Sequence, residues 1–113
     1  MAGLKDEVVG RAIAQLHEHP SKSWTLPSLA KEAGASRSAL AERFTKLVGQ
    51  SPMAYLAQWR MQLAAQILGD GESKVSAVAL EVGYDSEAAF SRAFKRASGV
   101  APAAWRDRRN TAA

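Results

Sequence analysis

Residues 36–56, SRSALAERFTKLVGQSPMAYL, return fifty positions later as SEAAFSRAFKRASGVAPAAWR, residues 86–106. Ser36 falls on Ser86, Leu40 on Phe90, Phe44 on Phe94, Gly49 on Gly99, Pro52 on Pro102 and Tyr55 on Trp105. After a one-residue slip the match continues upstream, where Leu26, Leu29, Ala30, Ala33 and Gly34 fall on Val75, Val78, Ala79, Val82 and Gly83. In a chain of 113 residues this duplication leaves room for little else. The fold must present the same small unit twice around one core or two very small ones.

The unit is helical. No period-two alternation is sustained, whereas Val9, Ala12, Ile13 and Leu16 follow the i, i+3, i+4, i+7 spacing of a buried helix face. HEHPSKS ends that helix before Pro20. Thr25 suits an N-cap, Trp24 and Leu29 suit a hydrophobic staple, and Pro27 fits a first turn. Gly34 closes this second helix; Ser36 caps a third, which runs to about Val48 and stops at Gly49. A longer helix is expected from about Pro52 to Leu68. Leu56, Leu63 and Ile67, with Trp59 at the edge, make one apolar stripe on it; Met61, Ala64, Ala65 and Leu68 make another. Two stripes suggest two neighbours, so this helix reads as a rod between subdomains. The repeat resumes with helices from about Val75 to Val82 and Glu87 to Ser98, then a last one begun by Pro102. The flanks MAGL and NTAA read as frayed. The expectation is an all-α fold of seven helices: a first helix-turn-helix subdomain over about 5–50, a linker helix over about 52–68 and a second subdomain over about 73–109.

Each copy is a short helix, a glycine turn and a longer helix. Ala30 and Ala79 allow close crossing, and Gly34 and Gly83 suit positive φ. Leu40, Phe44 and Leu47, like Phe90, Phe94 and Ala97, mark the buried side of the longer helices. The outer side carries Arg37, Ser38, Ala41, Glu42 and Thr45 in copy one, and Glu87, Ala88, Ser91, Arg92 and Lys95 in copy two. Lys46 and Arg96 complete the candidate contact set. Small side chains let a helix sit deep in a major groove about 12 Å wide. Arg92 can pair bidentately with guanine, and Glu42 can accept from cytosine N4. Ser36 and Ser86 bring hydroxyls and backbone N–H groups to helix starts, where phosphates bind.

A lone helix-turn-helix is more often packing than DNA recognition. Two copies joined by a rod of about 25 Å reach toward the ~34 Å between successive major-groove turns. The formal charge of +4 agrees with an anionic partner, and from Arg92 onward six basic residues face one acid, Asp107.

Other chemistries have less behind them. His17, Glu18 and His19 lie on adjacent faces at a helix end, with no third ligand, and a last turn favours histidine anyway. Trp24, Trp59, Trp105 and Tyr55 could stack on single-stranded bases, but their helical spacing makes them core. Arg106, Arg108 and Arg109 read equally as a phosphate grip or a solvated tail. There is no cysteine, no supported nucleophile triad or carboxylate pair, no membrane-span-length apolar run and no signal-peptide pattern. An enzyme and a cofactor are not expected, and a cytoplasmic location fits. A helical protein-interaction module with incidental basicity is the other function class.

VSAVALEVGYDSEAAFSRAFKRASGVAPAAWR resembles the signature stretch of the AraC/XylS transcriptional regulators: A-x-x-x-G-[FY], S, F-x-x-x-F-[KR], G-x-x-P, then an aromatic and Arg. LAKEAGASRSALAERFTKLVGQSPMAYL and the rod's R-M-x-x-A-x-x-I-L resemble the remainder, from about Val8 to Arg106. The resemblance implies a seven-helix DNA-binding domain with two helix-turn-helix units and a double-stranded DNA operator as partner. It further implies RNA polymerase as a partner if the protein activates, and an amino-terminal effector-binding domain in the full-length protein. Short Ser38 and Ala41 and acidic Glu42 depart from the pattern in the first unit, whereas Arg92 fits it in the second. MAGLK reads as an artificial start, favouring an excised carboxy-terminal domain over a naturally short regulator.

Overall fold

The computed structural model describes residues 6–112, with side chains described to Arg108. Among the described residues there are seven helices and no strand: α1 (Glu7–Glu18), α2 (Leu26–Ala33), α3 (Arg37–Val48), α4 (Pro52–Asp70), α5 (Val75–Glu81), α6 (Glu87–Ser98) and α7 (Pro102–Ala112). The stretches MAGL and MAGLK lie outside the described residues. At the other flank α7 keeps its helical backbone through Asn110–Ala112, where fraying was expected.

Local chemistry sets the helix starts. Asp6 Oδ1 accepts from the N–H groups of Val8 and Val9 at 3.0 and 3.1 Å, capping α1. Thr25 and Ser28 cap α2 reciprocally, each hydroxyl accepting from the other residue's N–H. Ser36 and Ser86 cap α3 and α6 through Ala39 N–H and Ala89 N–H. Such a cap contributes about 1 kcal/mol by satisfying a donor the helix leaves unpaired. α5 starts at Lys74 without a side-chain cap.

The chain divides into two compact units between Ala57 and Gln58, within α4. In the first unit α1, α2 and α3 enclose Val9, Leu16, Leu29, Leu40 and Phe44, and Leu56 of α4 completes the core. Trp24 is buried there too, and its Nε1 donates to His19 O at 2.9 Å, fixing the α1–α2 loop. In the second unit Val78, Val82, Phe90 and Phe94 pack with Ala64 and Leu68 of α4.

The two apolar stripes of α4 do not serve two neighbouring subdomains, as their spacing suggested. Leu63 and Ile67 of one stripe pack against the same second core as Met61, Ala64, Ala65 and Leu68 of the other. The helix is shared end to end: Met53, Tyr55 and Leu56 belong to the first core, and residues from Met61 onward to the second. The wide apolar arc has a physical reason. Trp105 of α7 donates to Ala65 O at 3.3 Å, while Arg60 meets the α5–α6 turn. Those two positions are about 140° apart around the helix, so one unit covers it from two sides.

The start of α4 matches α7: Tyr55 meets Phe44 edge-on at 5.6 Å, as Trp105 meets Phe94 at 5.9 Å. The end of α4 buries Ala64 and Leu68 in the second core, an i, i+4 pair like Ala12 and Leu16 of α1 in the first.

One pair of core assignments fails. Leu47 is 36% exposed and Ala97 is exposed. The buried row of α3 runs Leu40, Phe44 and half-buried Val48, an i, i+4 line; residues 47 and 97 turn about 60° off it the other way.

Candidate nucleic-acid interface

Both turns begin identically. Ala35 N–H donates to Ala30 O at 3.0 Å, and Tyr84 N–H donates to Ala79 O at 2.8 Å. This six-to-one bond closes a helix through a left-handed residue, and Gly34 and Gly83 supply it with φ of 75° and 101°. The copies then diverge. Ala35 is followed directly by the cap Ser36, whereas Asp85 stands between Tyr84 and the cap Ser86. The one-residue slip in the repeat is Asp85.

The candidate contact residues fall on the solvent side of α3 and α6. Arg37, Ser38, Glu42, Thr45 and Lys46 are exposed and Ala41 is half-buried; Glu87, Ala88, Arg92, Lys95 and Arg96 are exposed and Ser91 is half-buried. Ser86 is also exposed, but its Oγ accepts from Ala89 N–H at 3.1 Å, as Ser36 Oγ does from Ala39 N–H. Those oxygens are committed to capping, leaving the O–H hydrogens and the first backbone N–H groups to face outward. Measured from Phe44 or Phe94, Glu42 and Arg92 turn about 160° away, the most outward positions of their helices. None of Arg37, Lys46, Arg92, Lys95 and Arg96 is held in an ion pair among the described residues. Their charge is available to an external anion.

Other basic residues are committed to the fold. Arg43 Nε lies 3.3 Å from Asp6 Oδ2, so one carboxylate caps α1 and ties α3 to it. Arg106 is neither a phosphate grip nor a solvated tail. Its Nε donates to Leu68 O at 3.2 Å and its Nη2 to Ser73 O, closing the end of α4 and the segment after it. Arg108 is exposed, and the Arg109 side chain lies outside the described residues.

Arg60 is the residue whose place the sequence did not indicate. Its guanidinium is half-buried, and desolvation pulls its pKa below the usual arginine range, with Tyr84 and Asp85 acting in the opposite sense. The available signal was the arginine of R-M-x-x-A-x-x-I-L, a cation set among the apolar positions of the rod. His17 Nε2 lies 2.6 Å from Tyr55 Oη with the rings stacked, and burial raises the Tyr55 phenol. Trp24, Tyr55 and Trp105 belong to or pack against the cores, and Trp59 is half-buried.

A helix-turn-helix domain family model matches residues 29–108. An AraC-like transcription regulator of Streptomyces lividans is 48% identical over 106 residues, which are 94% of this chain and 35% of that protein. The carboxy-terminal domain of AraT, a response regulator from Geobacillus stearothermophilus, superposes with a TM-score of 0.87 at 34% identity, covering 90% of this chain and 85% of that one. The DNA-binding domain of AdpA, a global transcriptional factor solved with a target DNA, gives a TM-score of 0.84 at 30% identity, covering 91% and 92%. The chain belongs to the AraC/XylS family of transcriptional regulators and matches their DNA-binding domain. It spans about a third of the length of the curated relatives it matches. Among the described residues no helix is long and apolar enough to cross a membrane.

Proposed function

We propose that this chain binds double-stranded DNA sequence-specifically in transcription regulation, α3 and α6 entering the major groove in two successive turns. The observation that carries it is the repeated outer face: a capped helix start, short side chains at Ser38, Ala41, Ala88 and Ser91, and cations held in no ion pair among the described residues. The AdpA domain, alike in fold and 30% identical, was solved on its target DNA, which supports the same use here. Arg92 is assigned to base readout, Lys95 and Arg96 to phosphate. Relatives about three times as long support a larger, effector-responsive protein, which works in the cytoplasm and touches RNA polymerase if it activates.

The test is selection of bound sites from random duplex, then titration of the winner and its scrambled version across salt. Log affinity should fall linearly with log salt, by about 0.9 per phosphate neutralised, and the selected duplex should keep its advantage. Two contacted segments should be centred about 10 base pairs apart. A protein-interaction module, the reading favoured by Leu80 at 63% exposed, would show neither salt slope nor sequence preference.

A further inference from the structure

Arg60 lies on α4, outside the second turn and its two helices in sequence, yet its guanidinium is set against that turn. Its Nε, Cζ and Nη2 are each 2.9 Å from the place a Cβ on Gly83 would take. Three equal distances mean the flat group faces the glycine backbone, and a side chain on Gly83 would have to push it aside. The Cζ is 5.9 Å from the centre of the Tyr84 ring, within cation–π range. That ring meets Phe90 of α6 edge-on at 5.7 Å. Asp85, the extra residue of this turn, adds a carboxylate whose field acts on Arg60. From Arg60 the contacts thus run through Gly83 and Tyr84 to the first turns of α6. The corresponding neighbour in the first unit is different: Arg11 Nη1 stands 3.3 Å from a Cβ on Gly34, but Arg11 is exposed and 3.9 Å from Glu7. An exposed pair of that kind fixes little.

We propose that Arg60 is a positioning residue for α6, its guanidinium plate holding the Gly83–Asp85 turn so that Arg92 and its neighbours meet the bases in one register. The base-readout part rests on the DNA-binding function proposed above; the positioning part does not. Lysine replaces the plate only in part, because an ammonium keeps the charge but lacks the planar face that lies on Gly83 and Tyr84.

Two measurements on Arg60→Met and Arg60→Lys test this. In the first, amide hydrogen exchange of the free protein should quicken at Tyr84, Ala89 and Phe90. Val78 in the same unit, and Ala35 and Ala39 in the first, should keep their rates. In the second, each variant is titrated against the selected duplex, its single-base changes and a scrambled duplex. Discrimination at the base pairs read by α6 should drop about five- to tenfold for Arg60→Met, with Lys intermediate and scrambled affinity changed less than twofold. Equal weakening on scrambled duplex would make Arg60 a phosphate contact and overturn the proposal. Unchanged exchange at Tyr84, Ala89 and Phe90 would also overturn it, as would quickening of the whole second unit together. If wild-type protein selects no duplex, the DNA-binding reading fails while the exchange data still decide the positioning role. If Arg60→Met does not fold, Arg60→Lys carries both measurements.

Discussion

α3 and α6 occupy the same place in their units and differ where they face outward. Their inward rows correspond residue for residue, Leu40 and Phe44 against Phe90 and Phe94, all buried, and both are capped by a serine accepting from the third helical N–H. The outward rows reverse sign: Arg37 stands where α6 has Glu87, and Glu42 where α6 has Arg92. Thr45 answers to Lys95. Glu87 suits the positive end of a helix dipole and Lys95 and Arg96 the negative end, whereas Arg37 opposes it. Packing constrains the inward row, since a changed volume is felt at once in a dense core. Solvent places no such limit on the outward row, so the two copies keep one fold while presenting different chemistry. If both bind DNA, the second is expected, on the function proposed above, to be the stronger reader.

The largest effects should come from the shared inward row. Phe44→Ala and Phe94→Ala should each cost about 3–5 kcal/mol, because each ring is buried and its removal leaves a cavity. Phe94 touches both Phe90 and Trp105, against the Tyr55 contact of Phe44, so it should lie at the upper end. Chemical denaturation gives the cost, and residue-resolved hydrogen exchange shows which unit loses it. Little change from either variant would remove the packing equivalence of the halves.

The turns should separate next. Gly34→Ala should cost about 1–2 kcal/mol, the strain of a left-handed alanine, because the neighbouring Arg11 tip can move aside. Gly83→Ala adds a Cβ 2.9 Å from three atoms of a half-buried guanidinium and should cost about 2–3 kcal/mol. Equal costs in denaturant titrations would mean that Arg60 yields as easily as Arg11.

These differences mark how far the chain could be read unaided. Helix boundaries were legible at Thr25, Ser36, Pro52, Ser86 and Pro102 because caps and first-turn prolines act within a few residues. Phe44 and Phe94 were legible as core because the repeat set them in register. Leu47 and Ala97 were not, since i+3 and i+4 neighbours of a buried residue look alike until the packed helix selects one row. The partition of α4, the Arg106 bonds to Leu68 and Ser73, and the Arg60 contact with Gly83 join residues more than twenty positions apart. Local patterns can single out a residue, as the arginine among the rod's apolar positions shows, but they do not name its distant partner. On the candidate interface, spacing indicated the exposed faces, and only the fold separates Arg43, engaged by Asp6, from Arg37 and Lys46.

Arg92 sharpens the comparison at the level of bases. It turns about 160° from Phe94, and a bidentate arginine–guanine pair carries about 1–3 kcal/mol of discrimination. Arg92→Ala should flatten preference at one or two base pairs of the selected duplex and leave scrambled affinity nearly unchanged. Uniform weakening would make it a phosphate contact and move specificity to α3.

Glu42, its counterpart, should give the smallest effect and one of opposite sign. It is exposed and turned equally far outward, so on entering a groove it would approach two rows of phosphates. Repulsion between solvated charges is modest and screened over about 8–10 Å at physiological salt. Glu42→Ala should therefore tighten binding to scrambled duplex about two- to threefold at low salt, with the gain fading as salt is raised. A carboxylate that accepts from cytosine N4 would behave otherwise: its removal would lose preference at one base pair and gain little on scrambled sequence. Titrating the variant against scrambled duplex and every single-base change, at two salt concentrations, separates the two. Loss confined to one base pair would show α3 reading bases through Glu42. A salt-sensitive gain common to all sequences would leave base readout concentrated in α6.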